Sequence, residues 1–209
     1  MSKPCIRVLC VDDHRIVREG IALIIDRQPD MKVVGVAAKG EQAVTLFSSL
    51  RPDVTLMDLQ LGRMSGLAAI SAIRRDDPQA RIVVLTTYDG DEDIYRALEA
   101  GAATYLLKDT LSNDLIDVVR QVHAGKRPIG PDVQARLDER ASHPPLTRRE
   151  IEVLELVTQG MRNKEIASRL DISEDTVAVH LRNTFGKLKV NERTTAVTVA
   201  LRRGIIHLR

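Results

Sequence analysis

Five side chains carry the chemistry this sequence could perform. Asp12 and Asp13 follow one short apolar run, Asp58 ends another, Thr86 ends a third, and Lys108 follows a fourth. A lone aspartate is more often a helix cap or a solvated loop residue, and a lone lysine a solvated surface charge. Three carboxylates brought together behave differently: they repel, raise one another's pKa, and require a cation to offset their charge. Magnesium suits such a cluster, because it takes oxygen ligands octahedrally and keeps several waters for a phosphoryl group. A carboxylate nucleophile, a divalent ion, a hydroxyl and an ammonium form the set that stabilises a phosphoryl group in transfer.

The elements that must position these residues follow from the apolar pattern. Short β-type runs at Ile6–Val11, Val33–Ala37, Val54–Met57, Ile82–Leu85 and Tyr105–Leu107 alternate with helical patterns at about His14–Asp26, Glu41–Ser49, Leu67–Arg75, Glu92–Ala100 and Leu111–Ala124. Strands that are apolar throughout, separated by helices, predict a parallel sheet covered on both faces. Five such units give a doubly wound α/β fold, whose ligands sit at the carboxyl ends of the strands. In the strand order 2-1-3-4-5 the first and third strands are neighbours, so Asp12, Asp13 and Asp58 meet at one edge.

Val11-Asp-Asp-His14, Asp58-Leu-Gln-Leu-Gly-Arg-Met-Ser-Gly66, Leu85-Thr-Thr-Tyr88 and Gly101-Ala-Ala-Thr-Tyr-Leu-Leu-Lys108 resemble the flavodoxin-like receiver domains of two-component signalling, in order and spacing. The resemblance implies that Asp58 is the phosphoacceptor. It also implies magnesium on Asp13, Asp58 and the backbone carbonyl of Gln60, with Asp12 acting largely through water. Lys108 would bridge to the phosphoryl group, Thr86 would receive it by hydrogen bond, and Tyr105 would be the switch aromatic. A tyrosine on a strand is equally compatible with ordinary packing. Two departures stand out. Leu61-Gly62 replaces the Met-Pro of many relatives, which makes that loop more permissive. Asp109 stands where many have proline. Neither removes a chemical group from the site.

Beyond residue 124 the texture changes. Gly125, Pro128, Gly130, Pro131, Pro144 and Pro145 punctuate a linker that holds a charged, helix-compatible piece from Asp132 to Ala141. Thr147-Arg-Arg-Glu150 then reads as a capping box opening a helix, which Gly160 is placed to stop. A short helix at Lys164–Leu170, a longer one from Ser173 to about Leu188, and a last one at Thr194–Arg203 complete an all-α, four-helix tail. On the longer helix Val177, Leu181, Thr184 and Leu188 share a narrow core stripe with Phe185 at its border. The opposite face carries Asp175, Val179, Arg182, Asn183 and Gly186, with Lys187 and Lys189 near its C-terminal end. A solvated face would hold long charged side chains; this mixture suits close approach to a major groove.

Leu146-Thr-Arg-Arg-Glu150, Gly160, Asn163-Lys-Glu-Ile-Ala167, Thr176-Val177, His180, Lys187-Leu188 and Asn191-Glu-Arg-Thr194 resemble the LuxR-type helix-turn-helix of the NarL/FixJ family. The resemblance places Thr176 in the DNA-binding set, turns Val179 and Arg182 toward bases, and puts Lys164, Asn183 and Lys187 on phosphates. Ala178 replaces a basic residue common in the family, so one DNA contact is missing. His180 reads as a packing or phosphate-side residue. The implied division is a receiver over residues 1–123, a linker over 124–144, and a helix-turn-helix domain over 145–209.

The resulting expectation is a response regulator, not an enzyme: a sensor histidine kinase phosphorylates Asp58 with Mg2+ as cofactor, and the tail binds double-stranded DNA as a homodimer. The small apolar residues Ala196, Val197, Val199, Ala200 and Leu201 of the last helix serve either the core or a dimer contact. An aspartate-nucleophile phosphohydrolase would want a second Asp two residues after Asp58, where Gln60 stands. A ligand-gated DNA-binding protein would not need the five pocket residues together. Bulk properties agree with the main reading. The chain is 29% charged and 44% hydrophobic with a net charge of +2, an ordinary globular balance. Residues 142–209 hold 12 Lys and Arg against 8 Asp and Glu, whereas the remainder holds 19 against 21. Such asymmetry hints at different partners for the two parts. No run approaches the ~20 apolar residues of a membrane span, and no signal-peptide pattern is present, so a cytoplasmic protein with reduced Cys5 and Cys10 is expected.

Overall fold

The computed structural model describes residues 5–87, 90–108 and 111–207, with the side chains of 111–113 set aside. Tyr88 and Asp109, which the motifs above include, lie outside the described residues. The chain divides into two compact units, residues 1–88 with 95–133, and residues 89–94 with 134–209.

Over residues 6–123 β1 (Ile6–Val11), α1 (Arg15–Asp26), β2 (Met31–Ala37), α2 (Gly40–Leu50), β3 (Val54–Met57), α3 (Gly66–Asp76), β4 (Ile82–Thr86), α4 (Asp91–Glu99), β5 (Thr104–Leu107) and α5 (Leu111–His123) alternate along the chain. All strand pairs are parallel, in the order β2-β1-β3-β4-β5. The expected doubly wound topology is therefore the observed one. Every residue of β3 and β4 is buried, which explains why both are mostly apolar, with Thr55 and Thr86 the exceptions. The edge strand β2 is only partly covered. One core packs Val8, Cys10, Leu56, Val83 and Leu85 of the sheet against Ile21 and Ile25 of α1 and Leu115 and Val119 of α5. Cys10 is buried there, which pushes its thiol pKa up to about 12. Cys5 is exposed.

The helical piece expected inside the linker is α6 (Pro131–Ala141). Proline suits its first position, where the missing N–H would have no intrahelical partner. In the second unit α7 (Arg148–Thr158), α8 (Asn163–Leu170), α9 (Glu174–Leu188) and α10 (Arg193–Arg202) pack around Val153, Leu154, Ile166, Val177, Leu181, Ala196 and Ala200. The Thr147 capping box is present on α7, and Gly160 follows that helix at φ +79°, a conformation that favours glycine. Among the described residues no helix is long and apolar enough to cross a membrane.

Candidate functional sites

The pocket of the first unit forms where β1 and β3 end side by side. The Asp58 N–H donates to the Val11 carbonyl at 2.9 Å, so the two strand ends are stitched together and both acids enter one cleft. Asp12 and Asp58 are each only 2% exposed. Lys108, just beyond β5, places its ammonium Nζ 2.6 Å from Asp12 Oδ2 and 2.6 Å from Asp58 Oδ2. Thr86 ends β4 and Tyr105 lies on β5, both fully enclosed. The Gln60 N–H donates to Asp58 Oδ1 at 3.3 Å. Asp13 is more open and pairs with His14 Nδ1 at 2.7 Å.

The electrostatics are unbalanced, with two buried anions against one buried cation. Burial pushes the Asp58 carboxyl above the usual carboxylate range and the Asp12 charge adds to this, although Lys108 opposes it. Burial works against the Lys108 ammonium too, but its hydrogen bonds to Asp12 and Asp58 outweigh that and hold its pKa above the ordinary lysine value. Oxygen atoms of Asp12, Asp13 and Asp58 and a ring nitrogen of His14 all lie within 4.8 Å of one another. Buried Asp12 Oδ2 has the Lys108 ammonium beside it and no other partner among the described residues. An oxygen-rich cluster with spare negative charge fits a divalent cation such as magnesium.

Backbone features hold this cleft in ways that motif spacing alone does not reveal. The Gly66 N–H donates to the Leu59 carbonyl at 2.8 Å. A Cβ on Gly66 would lie 2.0 Å from the Asp58 carbonyl oxygen and 2.7 Å from Leu59 Cα. The loop after Asp58 can close only over a glycine. Gly62 adopts φ +76°, so the sequence departure noted there has a structural reason: this loop takes a turn that the fixed φ of proline excludes. Arg18 braces the opposite wall by donating to the Asp12 carbonyl at 2.5 Å.

The second unit presents a different surface. Ser173 caps α9 by accepting the Thr176 N–H at 3.1 Å, and the two hydroxyls bond to each other at 2.8 Å. Val177, Leu181, Thr184 and Leu188 form the buried stripe, leaving the outer face to the expected residues. Val179 is 47% exposed, and Arg182, Asn183 and Gly186 are exposed with it, as is Lys164 on α8. Spacings of three, four and seven residues put Val179, Arg182, Asn183 and Gly186 on one helical face. His180 is half-buried, as its flank position suggested. On α10, Ala196 and Ala200 are buried, while Val197, Val199 and Leu201 are partly buried against the same core.

Lys187 has a partner within the unit. Its Nζ lies 2.7 Å from Glu150 Oε2, and that same oxygen accepts the Thr147 N–H at 2.7 Å. The flexible lysine stem turns the charge inward across α7, which a helical wheel of α9 alone does not show. Glu150 is 3% exposed. Burial alone would raise its pKa, but Lys187 and the Thr147 cap outweigh burial and hold it below the ordinary glutamate value. A second half-buried cation, Arg193, donates to Asn163 Oδ1 at 3.0 Å and to the Met161 carbonyl, tying α10 to the start of α8.

Comparison with known proteins agrees with both surfaces. Residues 8–120 match the response regulator receiver domain, and residues 144–200 match the luxR family of bacterial regulatory proteins. The chain is 41% identical over 206 residues to the response regulator protein VraR of Staphylococcus epidermidis, covering 96% of this chain and 99% of that protein. Among solved structures it resembles the response regulator ChrA of a heme-sensing two-component system, with TM-score 0.58, 38% identity, and coverage of 97% and 99%. RcsB of Salmonella enterica serovar Typhimurium, bound to a promoter in the presence of the phosphomimetic BeF3-, aligns with TM-score 0.72 and 25% identity over 93% of this chain and 97% of that one.

Proposed function

The chain belongs to the DNA-binding response regulators of the NarL/FixJ family, with a receiver domain and a LuxR-type helix-turn-helix, and from that premise we propose that phosphorylation of Asp58 switches its action on transcription. The observation that carries this reading is the buried pair of carboxylates at adjacent strand ends, bridged by one lysine. An Asp58 oxygen attacks the phosphorus of a phosphohistidine on a partner kinase. The P–N bond breaks, and the histidine leaves with its electron pair. Asp13, Asp58 and the Gln60 carbonyl would hold magnesium, with Asp12 acting through water. When bound, the ion supplies charge neutralisation for the transferring oxygens.

Lys108 moves from carboxylate to phosphoryl oxygen, and Thr86 donates its hydroxyl to the same group. Tyr105, enclosed on the neighbouring strand, follows Thr86 and biases the equilibrium between two receiver states. Treatment of the purified protein with acetyl phosphate and magnesium should add one phosphoryl mass. Asp58→Asn should abolish the addition, and equal incorporation in both proteins would remove Asp58 from this role.

On the DNA side Val179 and Arg182 face bases, Lys164 and Asn183 contact phosphates, and Thr176 sets the N-terminal end of the reading face. This division takes residues 1–123 as receiver, 124–144 as linker and 145–209 as the DNA-binding domain. One helix reads only a few base pairs, so two copies on a two-fold site supply useful specificity. Partial exposure of Val197, Val199 and Leu201 on α10 supports that helix as the dimer contact.

A further inference from the structure

We propose that Lys187 is a positioning residue: with Glu150 it clamps the recognition helix to α7, and it is not a phosphate ligand. The inference rests on the DNA-binding reading above for its functional readout. Its geometry stands apart from it. Glu150 belongs to the first turn of α7 and is anchored there by the Thr147 capping box. Its Oε2 accepts both the Thr147 N–H and the Lys187 ammonium, each at 2.7 Å. A carboxylate so fixed cannot follow a mobile partner, so the lysine must come to it.

Lys187 sits on the last turn of α9, one residue before Leu188, which anchors that turn in the core. The pair thus joins the entry of α7 to the exit of α9, 37 residues apart. It fixes the roll of α9 about its axis, and that roll decides where Val179, Arg182 and Asn183 point. A lysine spent on a buried glutamate has little charge left for DNA, since the pair is close to neutral outside. The acidic partner also costs nothing in repulsion of phosphates while the ammonium covers it.

Charge alone and the clamp predict opposite signs for one substitution. Glu150→Gln removes a negative charge near the DNA face, and Coulomb attraction by itself would tighten binding. It keeps an oxygen for the Thr147 N–H and loses the ion pair. The clamp therefore predicts weaker binding, by about tenfold, to a fluorescent mixed-sequence duplex measured with the full-length chain. Lys187→Met should lose affinity by a similar factor. The slope of log affinity against log salt should stay at the wild-type value, whereas loss of a phosphate contact would reduce it by about 0.9.

The double variant should be no weaker than the worse single one, because both remove the same contact. Tighter binding by Glu150→Gln, or a shallower slope in Lys187→Met, overturns the clamp. Should Lys187→Met fail to fold, the sign of the Glu150→Gln effect still decides. Amide exchange gives an answer that needs no DNA: both single variants should speed exchange in the last two turns of α9, and Lys164→Met should not. Unchanged exchange in both refutes the clamp. A wild-type chain that binds no duplex instead defeats the DNA reading and leaves exchange to judge the pair.

Discussion

The two units each bury a carboxylate against a lysine at 2.6–2.7 Å, yet the two acids shift in opposite directions. Asp58 is pushed up by burial, which Lys108 only partly offsets, and the Asp12 charge adds to the rise. Glu150 is held down: burial is outweighed by an undivided lysine and a backbone N–H. A group with a raised folded-state pKa stabilises the fold below its ordinary range and costs stability when ionised above it; a lowered acid does the reverse. At neutral pH ionised Asp58 therefore opposes folding, while Lys108 in the same cluster and Glu150 in the second both support it. The difference separates a site that holds charge in reserve for a ligand from one already satisfied by the chain itself.

The sharpest way to break the first cluster leaves its charges alone. Gly66→Ala would drive a methyl group into the Asp58 carbonyl, at 2.0 Å, with only backbone there to give way. Overpacking against side chains costs about 1–3 kcal/mol, and rigid backbone puts this substitution at the upper end. Phosphoryl incorporation from acetyl phosphate should fall at least tenfold, since the acceptor carbonyl must move. A variant that melts and phosphorylates normally would show that the loop relaxes freely.

The next test sets the two clusters against each other by removing one negative charge from each. Asp58→Asn leaves Asp12 and Lys108 as a one-to-one pair, so without magnesium the first unit should melt a few degrees higher, a gain of about 1 kcal/mol. Glu150→Gln should destabilise the second unit by about 1.5–3 kcal/mol, the value of a hydrogen bond to a charged group. Equal signs in calorimetry would erase the distinction. The pH dependence follows: the Glu150 contribution is fully present above the ordinary glutamate range and fades as pH falls through its lowered pKa. Acid should accordingly loosen the helical unit in wild type more than in Glu150→Gln.

The same contrast explains what the sequence made legible. Strand ends are visible as boundaries of apolar runs, and parallel order turns those ends into one cleft, so the sequence alone points Asp12, Asp58, Thr86 and Lys108 to one place. The core stripe of α9 was readable for the same reason, being a property of one periodic element. What stayed hidden depends on contacts between elements. Gly66 is one glycine in a quoted motif until its missing Cβ is seen against the Asp58 backbone. Lys187 reads as an outward cation on its own helix, and only the packing of α7 beside α9 brings Glu150 within reach. Gly62 was visible as a departure, but its positive φ depends on the loop's actual path.

The smallest expected effect concerns function that lives outside either cluster. Gly186 lies inside α9 with nothing within 4 Å of the position a Cβ would take. No packing or backbone demand therefore keeps a glycine there. Replacing it by alanine should stabilise the helical unit by about 1 kcal/mol, the usual helix preference of alanine over glycine. It shares the face of Val179, Arg182 and Asn183, and an added methyl there would stand between the helix backbone and the groove. Affinity for duplex DNA should fall about threefold while the melting temperature rises, with the Glu150–Lys187 pair untouched. In the receiver unit Asp12, Asp58, Thr86 and Tyr105 are buried, so altering them moves stability as well. On α9 the functional face is exposed, and a change that improves the fold can degrade recognition. If Gly186→Ala raises both melting temperature and affinity, the groove does not approach α9 at this turn, and the reading face must be narrowed to its N-terminal half.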